Sequence, residues 1–600
     1  MTAQFFSKLK GLEKKGGEPI KKIAGVVMQL ETIVHKVQFC VIGGGMSGIC
    51  AAIAAARHGV KTLIMQERPM FGGNASSEVR MWICGARNCM ETGLIEEFRL
   101  ENLYRNPNAN YSIWDGMLFE KVRFQENLTS LLNCSCFEVE KAPDGRILSV
   151  TGHQQTTQTC HRVEADYFAD CSGDSIVAHL AGAEYRMGRE EKSEFGETLA
   201  QDKPDRKTMG MSCILQAREY DKPQKFIPPE WANKYPDDAS FPDREHLLDE
   251  FQNFWWLELG GEVDSIADTE TLRDELLKDA YGLWDHIKNH GDHGADNWAI
   301  DWVGILPGKR ESRRCMGDYI LSEKDVLTGG KFDDIVAYGG WPIDDHHPGG
   351  FRHFGEPNTN IIPQQPYGIP LRCLYSRNIE NLFFAGRNIS TTHTALSSTR
   401  VMATCSLLGQ AVGCTVACAA AHGNLSPRET AKNHIREIQK MLLDDDCYLP
   451  TLKRESWVLC RQAEISGSGR DLENVLNGID RSLAGKINAA KLKVGENIAL
   501  NFSTPQKITS IRLVFDSDLS RNHLNMRSNY RLADQPFAPP ATLVKSYHIT
   551  ANGVEIFRKE NNCQRFNNIA VDLKDVSDIT LHIDSTWGKE EVLLFSFDVN

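Results

Sequence analysis

The chain of 600 residues carries 67 Lys and Arg against 80 Asp and Glu, a formal net charge of −13. It therefore lacks the basic surplus on which phosphate-backbone binding draws, and no nucleic-acid partner is expected. That leaves a small-molecule substrate. No C-x-x-C pair of the metal-binding type occurs among its 17 cysteines, an odd number scattered through apolar runs at Cys40, Cys50 and Cys405; this is the usage of reduced, buried thiols in a cytoplasm. Residues 1–35 are rich in lysine, with Lys8, Lys10, Lys14, Lys15, Lys21 and Lys22, and contain no apolar stretch long enough for a signal peptide or a membrane span. They read as a basic extension, either solvated or used for docking. No repeat of 20 to 50 residues and no low-complexity tract is present, which excludes a solenoid. What remains is a chain too long for one core, with a hydrophobic content of 41%, ample for two or three.

The most informative stretch that is present begins with the apolar run Val37 to Ile42 and passes into Gly43-Gly44-Gly45-Met46-Ser47-Gly48 before an Ala-rich segment. Strand, glycine turn and helix are the order a dinucleotide pyrophosphate needs. Gly43 permits the turn, Gly45 lets backbone approach the phosphate and Gly48 lets helix pack on strand. The helix start offers free N–H groups and a positive dipole end to the anion. A second apolar run, Lys61 to Met65, leads to Glu67, placed where a carboxylate accepts hydrogen bonds from a ribose.

Further turns distinguish flavin from nicotinamide. Phe71-Gly72-Gly73-Asn74-Ala75-Ser76 follows the ribose-binding acid, Tyr167 to Asp174 repeats the strand-to-turn pattern, and Asn381 to Asn388 is another apolar strand ending in a glycine turn. A small-residue helix with Arg400, Met402, Gly409 and Gly413 comes after it. A nicotinamide domain needs only the first turn, so several turns aimed at one cofactor indicate FAD.

At these motifs the chain resembles the FAD-dependent oxidoreductase family over roughly residues 35 to 440. The resemblance rests on Gly43 to Gly48, Gly72 to Arg80, Ala169 to Asp174, Leu306 to Arg314 and Ala385 to Ser390; Ser172 stands where Thr is commoner, which keeps the hydroxyl. It implies an α/β fold, a glutathione-reductase-like Rossmann FAD-binding domain with an inserted cap. It also assigns to the cofactor Gly43, Gly45, Met46, Ser47, Gly48, Glu67 and Arg68 from the first unit and Gly73, Asn74, Ser76 and Arg80 from the second. From the later turns come Cys171, Gly173, Asp174, Gly386, Arg387 and Asn388, with Arg400 and Met402 beyond. Family flavins are commonly non-covalent, although Cys84 and Cys89 stand near enough to the second turn to suggest a thioether.

The expected division is FAD-binding domain over 36–185, cap and substrate domain over 186–375, and the last part of the FAD-binding domain over 376–442. The cap holds Trp255, Trp256, Trp284, Trp298, Trp302 and Trp341, which form either a sugar-stacking platform or the cap's own core. Alcohol oxidation needs a base for the hydroxyl proton, and histidine is the usual one. His393 follows the last glycine turn and has the best positional claim. His346 and His353 in the cap come next. Asp344, Asp345, His346 and His347 do not suggest a metal, because adjacent residues of an extended chain face opposite ways; no metal site is expected. In the basic cluster Lys309, Arg310, Arg313 and Arg314, Arg310 is expected to stabilise negative charge on reduced flavin or substrate, sharing a face with Arg313 in a helix or with Arg314 in a strand.

After an acidic linker, Leu443 to Asp446, residues 455–600 show short alternating runs separated by Gly, Pro, Asn and Asp. They read as an all-β sandwich that resembles a discoidin or galactose-binding-like module. Cutting the chain after Asp446 is expected to leave an FAD-loaded protein. The favoured activity is dehydrogenation of a sugar or glycoside hydroxyl, with an unidentified electron acceptor, no membrane association and the option of a homo-oligomer. The alternatives are reduction of an activated C=C bond in a carboxylate substrate and a non-catalytic carbohydrate-binding flavoprotein.

Overall fold

The strand and helix on either side of the Gly43 turn lie at the centre of a parallel sheet. In the computed structural model, which describes residues 30–522 and 524–600, this sheet has five strands in the order Leu382–Phe384, Tyr167–Asp170, Phe39–Ile42, Thr62–Met65 and Leu128–Leu131. Every neighbouring pair is parallel. Phe39–Ile42, Thr62–Met65 and Tyr167–Asp170 are buried throughout, as a parallel sheet covered on both faces requires. Helix Met46–Arg57 packs against helix Met402–Ala421, and a Cβ on Gly409 would stand 2.0 Å from the Ser47 carbonyl oxygen and one on Gly413 2.5 Å from that of Ala51. Those glycines let two helix backbones touch. Met402–Ala421 is the one helix among the described residues long and apolar enough to cross a membrane, and it is buried inside the fold.

A second sheet, in the order Thr32–Lys36, Thr159–Glu164, Ile147–Gln154 and Cys134–Lys141, flanks the first. Thr32–Lys36 pairs in parallel with Thr159–Glu164. The basic extension therefore ends before residue 32, and its first 29 residues lie outside the described residues.

The cap is smaller than 186–375. A separate hydrophobic core gathers Leu215, Phe241, Phe254, Trp256, Leu283, Trp284 and Trp298. From Cys315 onward the chain returns to the main core, to which Val326, Ile335, Tyr338, Ile343, Tyr367 and Ile369 belong. Trp256, Trp284 and Trp298 are thus core residues of the cap. The basic cluster is neither helix nor one strand: Gly308–Lys309 and Arg314–Cys315 are separate two-residue strands, with Arg310 to Arg313 between them.

The C-terminal unit is an antiparallel all-β sheet of seven strands. Several expected short strands are joined: Asn497–Phe515 and Phe566–Thr586 run on through register shifts where the sequence shows turn residues. The acidic linker is also no linker. Asp444 ends helix Pro427–Asp444, Asp445 pairs with His58, and Asp446 is buried against Arg565 at 2.7 and 3.0 Å. Between strands, the unit sends a long loop back into the main core, where Met526 and Tyr530 are buried. Asn525 accepts a hydrogen bond from the Ile83 amide, and the Tyr530 hydroxyl donates to the Ala109 carbonyl. A chain ending at Asp446 would lose this packing, so the expected detachable module is built into the FAD-binding unit.

Candidate functional site

One cavity of about 900 Å³ runs from the Gly43 turn to the cap. At its first end Gly43, Gly45, Met46 and Ser47 line it, with Glu67 and Arg68 beyond the second strand. Gly43 has φ +102°, and a Cβ there would meet the Cys171 carbonyl oxygen at 2.3 Å; a Cβ on Gly48 would stand 1.8 Å from the Gly43 oxygen. These positions are closed to any side chain. Gly45 differs: an added Cβ would meet only Gly73 Cα, at 3.9 Å, so a side chain there would fill the cavity itself. It is also the N-cap of helix Met46–Arg57, with no side chain capping the first amides. Empty space over Gly45, free helix N–H groups and the half-exposed Glu67 carboxylate fit the pyrophosphate and ribose of FAD.

The later turns converge on the same space. Gly73, Asn74, Cys171, Gly173, Asp174, Gly386, Arg387, Arg400 and Met402 line the cavity. Asp174 bridges Lys309 and Arg387, each at 2.7 Å. Burial pushes its carboxyl up, but Arg387 and Lys309 outweigh this and hold it at about 2. Four expected cofactor residues lie behind the wall instead. Gly48 packs helix on turn, Ser76 donates to the Gly73 carbonyl at 2.7 Å, and Asn388 donates to the Asp170 carbonyl at 3.0 Å. Arg80 is held between the rings of Tyr111 and Trp302 and donates to Gln216 at 3.0 Å.

The far end is built from side chains that the fold collects from distant segments. Strands Glu258–Leu259 and Gly308–Lys309 both pair with Met211–Ser212, which puts Glu258, Ser212 and Gly308 side by side, with Lys309 and Arg310 next along the chain. The Arg310 guanidinium donates to Ser212 Oγ at 2.9 Å and to the Trp255 carbonyl at 2.8 Å, and stands 3.3 Å from Glu258. Strand Ile343–His346 pairs with Asn358–Ile361, and its alternation turns Asp344 and His346 to the cavity and Asp345 away. His346 Nδ1 lies 2.6 Å from Glu258 Oε2, and Nε2 lies 3.3 Å from Asp344 Oδ2. Arg400 donates to Asp344 Oδ2 at 3.0 Å, and Trp341 Nε1 to the same oxygen at 3.2 Å. Burial pushes the Glu258 carboxyl up, but Arg310 and His346 hold it at about 2; Asp344 is likewise held low against burial by His346 and Arg400. Both carboxylates are ionised, and each is matched by a guanidinium. Trp82, Trp255 and Trp341 line the remaining wall.

His393 is not in this wall. It is buried between two carboxylates, Nδ1 at 2.9 Å from Glu311 and Nε2 at 2.9 Å from Asp345. Burial works against its charge, yet Glu311 and Asp345 raise it to about 10. A protonated imidazole with both nitrogens engaged cannot accept a hydroxyl proton, so the leading expectation for the base is corrected. His353 stacks on exposed His347 at 3.4 Å between centroids, outside the cavity lining. Cys84 lines the cavity, but burial raises its thiol to about 12 and Trp82 Nε1 donates to it at 2.8 Å; Cys89 is buried elsewhere. Sequence reasoning missed Glu258, Ser212, Asn358 and the role of Asp344. Only the alternation in Ile343–His346 offered a signal, for Asp344.

The family model described as FAD dependent oxidoreductase matches residues 38–442. A search of curated proteins returns no match. Among solved structures, a geranylgeranyl bacteriochlorophyll reductase-like protein from Thermoplasma acidophilum is 13% identical, with 69% of this chain and 86% of that one covered at a TM-score of 0.33. The p-nitrophenol 4-monooxygenase PnpA from Pseudomonas putida DLL-E4 is 11% identical over 48% of this chain and 70% of its own, with a TM-score of 0.24. The CBM32 of AlyQ, in complex with 4,5-unsaturated mannuronic acid, is 7% identical over 23% of this chain and 93% of its own, with a TM-score of 0.17.

Proposed function

The chain belongs to the FAD-dependent oxidoreductase family, with FAD as cofactor, and from that premise we propose that it dehydrogenates a hydroxyl group of a neutral polyhydroxylated substrate, a sugar or glycoside. The observation that carries this reading is the cancellation of charge at the far end of the cavity. Arg310 is matched by Glu258 and Arg400 by Asp344, and Arg310 also donates to Ser212 Oγ and the Trp255 carbonyl. Each of these two guanidiniums has its charge matched by a buried carboxylate, which weighs against the carboxylate-binding role that the C=C reductase alternative gives to Arg310. Hydrogen-bonding groups beside Trp82, Trp255 and Trp341 suit a molecule with hydroxyls on its edge and an apolar face.

FAD supplies the hydride acceptor. The chain's part is the proton, and the reading gives it to His346. Glu258, 2.6 Å from Nδ1, fixes the ring, and Nε2, whose contact with Asp344 Oδ2 is the longer at 3.3 Å, is the nitrogen that takes the hydroxyl proton once the substrate displaces that contact. Asp344 and Arg400 hold the position of that edge. The reading extends to a glutathione-reductase-like grouping of the FAD-binding unit, a galactose-binding-like sandwich at the C-terminus, and a cytoplasmic enzyme that passes electrons to a separate acceptor.

The test is anaerobic mixing of the yellow protein with neutral sugars, glycosides and polyols while the flavin band is followed. Bleaching by members of that set supports the reading. Reoxidation of chemically reduced protein by an unsaturated carboxylate, with no bleaching by any polyol, would overturn it.

A further inference from the structure

Away from the cavity, the cap brings three imidazoles and a carboxylate to one point. His286 lies near the end of helix Thr269–Asn289, His293 in the turn after it, and Asp238 and His246 in the loop that crosses over them. His286 Nε2 stands 3.0 Å from Asp238 Oδ1 and 3.1 Å from His293 Nε2; Asp238 Oδ1 is 3.5 Å from His293 Nε2 and 3.8 Å from His246 Nε2. All four donor atoms fall within 4.8 Å of one another. We propose that Asp238, His246, His286 and His293 bind one Zn²⁺ as a closed structural site.

Proton accounting supports a cation here. His286 Nδ1 lies 3.0 Å from the Tyr235 carbonyl oxygen, which can only accept, so Nδ1 carries the hydrogen. In the neutral ring Nε2 is then a bare lone pair, facing a carboxylate oxygen and a second imidazole nitrogen. One added proton could serve only one of those contacts. A tetrahedral Zn²⁺ with ligands at about 2.0–2.1 Å holds its donor atoms roughly 3.3 Å apart, within the spread observed, and satisfies every lone pair at once. A ring nitrogen bonded to a backbone carbonyl is also the usual outer support of a metal-binding histidine. Three imidazoles and one carboxylate suit zinc better than calcium or magnesium, which take oxygen ligands.

The site has a structural task. Residues 220–257 contain only the short 3₁₀ turn Asp238–Ser240, a length of chain that seldom holds its shape without help. The metal would clip this loop to the long helix. Its end carries Trp255, which lines the substrate side of the cavity, and leads into Glu258, which holds Arg310 and His346 there, so the clip fixes that wall. None of the four ligands lines the cavity itself, and four protein ligands leave no open position for catalysis.

The test uses the full-length FAD-loaded protein, incubated with Zn²⁺ and passed through gel filtration before its metal is counted by mass spectrometry. About one zinc per chain is expected, falling to near zero in His246→Gln/His293→Gln. Asp238→Asn, at an exposed side chain, serves the same purpose should the double variant fail to fold. Loading with Co²⁺ should give tetrahedral absorption at wavelengths beyond the flavin band, absent from the variants. Wild-type protein that retains no zinc, or variants that retain as much as wild type, would overturn the site.

Discussion

At its dinucleotide end the cavity is walled by backbone, with Gly43, Gly45, Gly73, Gly173 and Gly386 leaving room for the cofactor, whereas its far end is walled by side chains whose charges cancel in pairs. The first surface is made by short-range rules. A turn of chain at φ +102° and a helix start suffice, and any Cβ is either impossible or fills the site. Both ends are assembled by folding, but the second carries no local motif, because Glu258, Arg310, His346 and Arg400 stand singly in separate segments. Glycine half-sites should therefore fail in an all-or-none way, and paired half-sites in proportion to the charge left unmatched.

The sharpest test of the backbone end is Gly45→Leu. Its side chain would project into the cavity, its Cβ in ordinary contact with Gly73 Cα at 3.9 Å and with no backbone clash, so the protein should fold, give a normal circular dichroism spectrum and purify colourless. Gly48→Leu, whose Cβ would stand 1.8 Å from the Gly43 oxygen, should fail to fold instead. Full flavin absorbance in Gly45→Leu would mean that the pyrophosphate lies elsewhere.

At the side-chain end the largest effect belongs to His346→Gln. Loss of a positioned base lowers rate by about a hundredfold to ten-thousandfold, so stopped-flow reduction by substrate should slow by that factor while bound FAD stays at wild-type level. Reduction at the wild-type rate would remove His346 from the chemistry. A smaller effect tests the pairing itself. Arg310→Met leaves Glu258 buried beside His346 without its guanidinium, a kind of loss that costs about 3–5 kcal/mol. Arg310→Met/Glu258→Gln should regain most of the lost thermal stability, and a double variant no more stable than the single would break the claim that the two charges neutralise each other.

How much of this could be read beforehand follows the same division. The glycine turns, the parallel strands beside them and FAD itself were legible because each motif lies within a few residues of chain. Periodicity in Ile343–His346 correctly separates Asp344 and His346 from Asp345. His393 was misjudged because nearness to the last turn in sequence says nothing about Glu311, 82 residues away, which engages its ring. Arg80 and Asn388 sit inside cofactor motifs yet bond to Gln216 and Asp170 behind the wall. The C-terminal strands were visible as alternation, but not the return of the loop bearing Met526 and Tyr530 into the main core. The acidic run at Asp444 to Asp446 reads as a linker in sequence because Arg565, the partner of Asp446, is more than a hundred residues downstream.

The least disruptive prediction concerns His393, which lies next to neither a free cavity surface nor a bare lone pair. Its ring binds a proton more tightly in the folded protein, at about 10, because Glu311 and Asp345 overcome the effect of burial; in the unfolded chain it titrates near about 6.5. A group whose affinity for protons rises on folding stabilises the fold fully below its unfolded value and loses that contribution as pH climbs through the folded one. The melting-temperature gap between wild type and His393→Gln should accordingly be widest below about pH 6.5 and narrow steadily toward about pH 10. Flavin reduction by substrate, measured on the same variant at neutral pH, should stay close to the wild-type rate, since His346 rather than His393 meets the cavity. A large kinetic loss with a pH-independent stability gap would reverse the assignment and return the base to His393.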